Sequence, residues 1–176
     1  MRLDHRSSST RTFVLTPAVV FAEQALSRRR FHAPWVPVMA WGFLQYHLAG
    51  RYRTRIGGGG PGMSHPPERL VTTGIYAHTR NPMYLGHLIF LGGLVAATRS
   101  PLALAALVQG FGRFHRRILR DEHRLEGLFS DEYQEYAARV PRYVPIPLAL
   151  PSTHGEHRKE GRDVADGHDH EGGVEA

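Results

Sequence analysis

Apolar residues are gathered into three stretches. Thr12–Leu26 (TFVLTPAVVFAEQAL) is interrupted by Pro17 and carries Glu23. Ala33–Gly50 (APWVPVMAWGFLQYHLAG) holds no charge at neutral pH and runs into Arg51, Arg53 and Arg55. Met83–Phe114 is apolar except for His87, Arg99 and Arg113, and it splits at Arg99-Ser100-Pro101. A helix that crosses a bilayer needs roughly 17–25 mostly apolar residues, and each half of the third stretch is short by that measure. The pattern alone leaves two readings open: a tight hairpin of two short helices in a thin membrane, or a pair of buried core helices in a soluble protein.

The remaining segments read more simply. Residues 56–67 (IGGGGPGMSHPP) form a flexible loop by their Gly and Pro content. Arg113–Val140 is a charged helix with a break near Ser130, and Ile118, Leu125, Leu128 and Phe129 give it an apolar stripe at helical spacing. Residues 141–151 (PRYVPIPLALP) carry too many prolines for a helix and form an extended strap. The chain is therefore expected to be all-α, with a short helical hairpin at about residues 83–114 whose setting the pattern leaves open. Residues 1–32 are a basic segment forming an interfacial or membrane helix, 33–151 the main domain, and 152–176 a disordered tail.

Composition sharpens the choice. A chain of 176 residues fits one domain, and the absence of cysteine excludes a disulfide scaffold, a Cys-based zinc site and a thiol nucleophile. The tail holds 7 acids, 3 bases and 4 histidines; setting it aside leaves 19 bases against 9 acids, so the body is +10. All but one of the basic residues are arginine, Lys159 being the exception, a ratio that reflects genomic base composition more than function. No helix-turn-helix or RNA-binding signature accompanies the charge, so no nucleic-acid partner is expected, whereas a membrane surface attracts the same charge. Arginines precede and follow the hairpin and Arg99 sits alone at its tip. The positive-inside rule then puts both flanks in the cytoplasm, which favours a bacterial inner membrane with a cytoplasmic site. Arg28-Arg29-Arg30 conflicts with this topology, so either the first stretch lies in the interface or the rule fails there. The basic start is diluted by Asp4 and the apolar core broken by Pro17, so no signal peptide is expected.

Residues 70–86 (LVTTGIYAHTRNPMYLG) carry the most chemistry. Gly74 permits a turn, and Asn81-Pro82 biases the chain out of helix just before a helix starts. Arg80, Asn81 and Tyr84 thereby stand at a helix entrance, where anions are favoured and Arg80 adds a forked donor. The bland alternative is an Arg-rich turn anchored at the headgroups.

This stretch resembles the pattern LVxxGxYxxxRHPxYxG of the isoprenylcysteine carboxyl methyltransferase and phospholipid methyltransferase families. Downstream, DEHRLEGLFSDEYQEYAARVPRYVP is similar to their second signature, ExxLxxxFGxxYxxYxxxVxRxxP, through Glu122, Leu125, Phe129, Tyr133, Tyr136, Val140, Arg142 and Pro145. The resemblance covers about residues 50–147 and decides the hairpin question in favour of membrane helices, so it implies an integral-membrane protein with two to four short membrane helices. It implies a small membrane enzyme using S-adenosylmethionine without a Rossmann domain, acting on a lipophilic acceptor: an isoprenylcysteine carboxylate, a phospholipid amine or another lipophilic nucleophile. It further implies a cofactor pocket built from Tyr76, Arg80, Asn81, Pro82, Tyr84, Gly86, Glu122, Tyr133 and Tyr136, with Arg139 and Arg142 as catalytic candidates facing an acceptor carboxylate or phosphate. Two departures stand out. Asn81 replaces the common His, which keeps a hydrogen-bonding group but removes a titratable one. Ser130 replaces the usual Gly after Phe129.

Each residue also has a plain structural reading. Tyr133 and Tyr136 can be an interfacial aromatic belt, Glu122 a surface ion pair with Arg116, Arg117 or Arg120, and Arg142 a headgroup anchor. His47 and His87 read as satisfied internal or interfacial groups. The tail histidines are a solvated polar segment, and no metal site is expected. Two other functions compete with the methyltransferase. The RNPxY turn is similar to the C-terminal region of membrane sterol reductases that use NADPH, though those are larger, and a non-catalytic membrane protein can retain the same scaffold.

Overall fold

Proline marks the start of each long helix, because its missing N–H costs nothing in the first turn and its fixed φ suits the helix. In the computed structural model, which describes residues 7–28, 30–59 and 66–143, α1 (Ser8–Thr10) leads through a π-helical turn (Arg11–Leu15) into α2 (Thr16–Ser27), with Pro17 in its first turn. A 3-10 turn (Ala33–Trp35) precedes α3 (Val36–Gly57), which has Pro37 in its first turn. A second 3-10 turn (Gly74–Ala77) precedes α4 (Pro82–Thr98), and α5 (Pro101–Arg139) follows after Arg99 and Ser100. The described residues contain no strand, as expected of an all-α chain. The first apolar stretch is not broken at Pro17: the widened π turn before it carries the helix through.

The hairpin splits where expected, with Arg99 at φ 49° closing α4 and Ser100 capping α5 by accepting from the Leu102 and Ala103 amides at 3.1 and 3.2 Å. Its second arm does not end at Phe114. That arm and the charged helix are one 39-residue helix, because nothing between Phe114 and Arg124 interrupts the α-helical backbone. The expected break at Ser130 is present: φ 40° and ψ −113° put a kink inside α5. Of the apolar stripe, Ile118 is fully buried while Leu128 faces outward, 47% exposed.

Helices α3 and α4 share the most extensive interface of the molecule. It is a glycine seam: a Cβ on Gly42 would meet the Phe90 nitrogen at 2.5 Å, and one on Gly86 would meet the Gly42 oxygen at 2.7 Å. A Cβ on Gly93 would strike the Met39 side chain at 2.8 Å. α5 packs on the other side of α4 through Leu91 and Phe114, and α2 is tied on through Val20, Leu94 and Ala103. Polar ties fix the same end: Gln24 donates to the Thr98 carbonyl at 3.0 Å, and the Ser100 hydroxyl donates to Glu23.

No helix among the described residues is long and apolar enough to cross a membrane. This corrects the expectation of membrane-spanning helices. The 17 residues of α4 rise only about 25 Å, against a hydrocarbon core of about 30 Å. α3 ends in Arg51, Arg53 and Arg55, and α5 turns charged from Arg113 onward. Large apolar side chains nonetheless remain on the outside, among them Val19, Trp41, Leu104 and Val108, each more than half exposed. Residues 60–65 of the glycine-rich loop, 144–151 of the strap with Pro145, and the tail at 152–176 lie outside the described residues.

Candidate functional site

The site forms where the start of α4, the second half of α5 and the first residues of the strap meet. Gly74 adopts φ 60°, and a Cβ there would press into the Tyr52 ring at 2.8 Å, so only glycine fits this turn without strain. The turn delivers residues 79–81 against 141–142. The Arg80 amide donates to the Pro141 carbonyl at 2.9 Å, while the Thr79 hydroxyl and the Asn81 side chain donate to the Arg142 carbonyl at 3.4 and 3.2 Å. Asn81 occupies the N-cap of α4 without capping it; its amide is drawn into the site instead.

Glu122 is the hub. Arg142 grips its carboxylate through Nη2 at 2.8 Å and through Nε at 2.9 and 3.1 Å, a charge-assisted fork. Arg80 approaches the same carboxylate at 3.5 Å, and Asn81 Nδ2 donates to it at 3.3 Å. Four donor atoms thus converge on one buried carboxylate, and none belongs to the neighbouring Arg116, Arg117 or Arg120 of the plain ion-pair reading. The Glu122 hydrogen bonds raise the Arg142 guanidinium further above its ordinary range, so it stays charged.

The tyrosines are not a belt. Tyr133 and Tyr136 are both 4% exposed, and Tyr76 is buried beside them. Tyr136 donates to the Tyr76 carbonyl at 2.7 Å, Tyr133 accepts from Arg80 Nη1 at 3.3 Å, and the Tyr76 hydroxyl donates to the Ala49 carbonyl at 3.4 Å. Burial pushes all three phenols up, so they remain neutral. Together with Arg53, Arg80, Asn81, Asp121, Glu122 and Leu125, these rings line a small cavity of about 60 Å³. Arg80 Nε is buried there without a hydrogen-bond partner among the described residues, the state of a donor that lacks its acceptor.

The structure therefore brings together Tyr76, Arg80, Asn81, Glu122, Tyr133, Tyr136 and, behind Glu122, Arg142. It leaves others apart. Gly86 lies in the α3–α4 seam, and Pro82 is buried in the first turn of α4, its carbonyl accepting from Gln45 at 3.1 Å. Tyr84 donates to Asp121 at 2.7 Å without lining the cavity. Arg139 is exposed, its Nε donating to the Glu135 carbonyl at 3.2 Å on its own helix. His87 fits the internal reading in part: one ring nitrogen pairs with the Met83 carbonyl at 2.9 Å, and the ring packs against Phe13 and Phe114. Asp121 and Arg53 were not singled out from sequence. Asp121 stands beside Glu122 at the head of the second signature, which is a usable signal, whereas Arg53 is indistinguishable there from its neighbours Arg51 and Arg55.

Residues 47–130 match the family model described as phospholipid methyltransferase, a stretch that contains the first signature and the start of the second. Among relatives, protein-S-isoprenylcysteine O-methyltransferase B of Arabidopsis thaliana is 41% identical over 80 residues, 45% of this chain and 41% of the relative. The cobalt-zinc-cadmium resistance protein CzcN of Cupriavidus metallidurans is 36% identical over 76 residues, 43% of this chain and 35% of the relative. The protein-S-isoprenylcysteine O-methyltransferase of Schizosaccharomyces pombe is 36% identical over 80 residues, 44% of this chain and 33% of the relative. The chain thus covers well under two thirds of the length of these relatives.

Proposed function

We propose that this chain is a membrane-embedded methyltransferase that uses S-adenosylmethionine and a lipophilic acceptor. The observation that carries the reading is the buried Glu122 hub, which joins both signatures beside a cavity holding a buried, unpartnered Arg80 Nε. When bound, S-adenosylmethionine supplies an electrophilic methyl group on a sulfonium. Its donor requirements fit the residues present. Arg80 offers its orphan N–H to the carboxylate, Asp121 a counter-charge to the amino group, and Tyr76, Tyr133 and Tyr136 π faces to a cation. Glu122 and Arg142 act as positioning residues: the carboxylate has its acceptor sites occupied by protein donors, and Arg142 is spent on holding it.

In-line displacement needs placement more than a reactive side chain, and Leu70, Val71 and Leu125 add apolar lining to the polar groups of the cavity. The cavity is far smaller than the roughly 300–1,000 Å³ of a ligand site, so binding has to widen it. The exposed apolar side chains on α2, α3 and α5, with Trp41 on α3 and Trp35 in the turn before it, support seating these short helices in the bilayer, where a lipophilic acceptor is found. The basic flanks support a cytoplasmic site in a bacterial inner membrane.

Calorimetry of S-adenosylmethionine and its demethylated product on detergent-purified protein, with NADPH in parallel, tests the reading. Saturable binding of the sulfonium ligand, lost in Arg80→Ala, is the expected result. Binding of NADPH alone, or of neither in folded protein, overturns it.

A further inference from the structure

A second concavity lies away from the candidate site, between α2 and α5. It is an open groove of about 760 Å³, within the range of ligand pockets. The two helices run antiparallel. Gln24 and Glu23 meet the α4–α5 turn at one end, and Arg117 Nη1 donates to the Ser8 hydroxyl at 3.3 Å at the other. Sequence order therefore places Arg11 beside Arg113 and Arg116 at one end of the groove, while Val19 and Ala105 line its apolar run toward Leu102. Among the described residues no acidic side chain lines it. Arg113 and Arg116 hydrogen-bond to neutral oxygens of their own helix, Gln109 Oε1 at 3.0 Å and the Gly112 carbonyl at 3.2 Å, which leaves their charge uncancelled by those contacts.

We infer that this groove binds an anionic phospholipid, with one acyl chain along Val19, Ala105 and Leu102 and the phosphate at Arg113 and Arg116. The dimensions suit it: from Leu102 to Arg113 the helix rises about 17 Å, the reach of a fatty acyl chain. Charge complementarity selects the headgroup, since a guanidinium binds phosphate oxygens in a bidentate fork that a zwitterion partly offsets with its own cation. One wall of the groove is α2, which precedes the residues matched by the methyltransferase family model, so the groove is not built from the shared domain alone. Arg116 lies less than two turns of α5 from Asp121. A lipid held there sets the candidate site at headgroup depth.

Native mass spectrometry of the full chain, released from detergent carrying equal phosphatidylglycerol and phosphatidylcholine of the same acyl chains, tests this. The wild type is expected to retain phosphatidylglycerol over phosphatidylcholine by about tenfold or more, each arginine near a headgroup contributing roughly fivefold. The double variant R113Q/R116Q is expected to lose that preference. Ala105→Trp, which fills the apolar run, is expected to reduce retention of both lipids and keeps the inference testable if the arginine variant misfolds by circular dichroism. Equal retention of the two lipids by the wild type overturns the inference, as does a preference that survives in R113Q/R116Q, unchanged retention in Ala105→Trp, or displacement of the lipid by inorganic phosphate.

Discussion

The α3–α4 seam and the Glu122 junction are held together by opposite means. In the seam, Gly42 and Gly86 remove side chains so that two backbones touch, and stability comes from close apolar packing. In the junction, Arg80, Asn81 and Arg142 converge on one buried carboxylate. The first interface is insensitive to charge and intolerant of volume; the second tolerates little change of charge but is open enough to hold a cavity. A fold that separates the two tasks can keep a rigid scaffold while its polar junction opens for a ligand.

The largest effect is expected from Glu122→Ala, which strands Arg80 and Arg142 without their counter-charge. The loss should be about 3 kcal/mol, read by chemical denaturation in detergent, together with loss of ligand binding. A variant that unfolds normally would show the junction to be as dispensable as a surface ion pair. Next comes Gly86→Ala, expected to cost about 1–3 kcal/mol because its Cβ meets backbone atoms that cannot give way. Binding by the surviving folded fraction should be unchanged, and a selective loss of binding would return Gly86 to the cofactor site.

Tyr136→Phe removes the donor to the Tyr76 carbonyl and should cost about 1 kcal/mol. The same residue sets a pH dependence. Its phenol pKa, like those of Tyr76 and Tyr133, is raised by burial, so the unfolded chain ionises first. Their contribution to stability is complete below the ordinary phenol value of about 10 and is lost as pH climbs past it. Alkaline unfolding curves should be shallower in Tyr136→Phe, and an identical slope would contradict the burial argument. The smallest change runs the other way. Ser130→Gly relieves a positive-φ residue at φ 40° and should stabilise the chain by about 1 kcal/mol, seen as a higher midpoint of thermal unfolding.

Much of the local structure was legible. The helix entrance at Asn81-Pro82, the turn at Gly74 and the split at Arg99-Ser100-Pro101 follow from single-residue backbone preferences, whereas the break at Ser130 is held against its own. The site was legible through two signatures whose residues do come together. Their division of labour was not. Gly86 belongs to a helix crossing, and Asp121 enters the cavity unannounced, because both assignments depend on what stands opposite.

Sequence alone thus determined where α4 begins and where α5 takes over from it, since proline and the residue before it are restricted in their own φ and ψ whatever surrounds them. Tertiary structure decided which charges pair. Val140 is extended, at φ −116° and ψ 126°, and beyond it the chain carries Arg142 onto Glu122, while Arg139, still on α5, is exposed. Only Val140 and Pro141 separate the two arginines, and the direction the chain takes after the helix ends tells them apart.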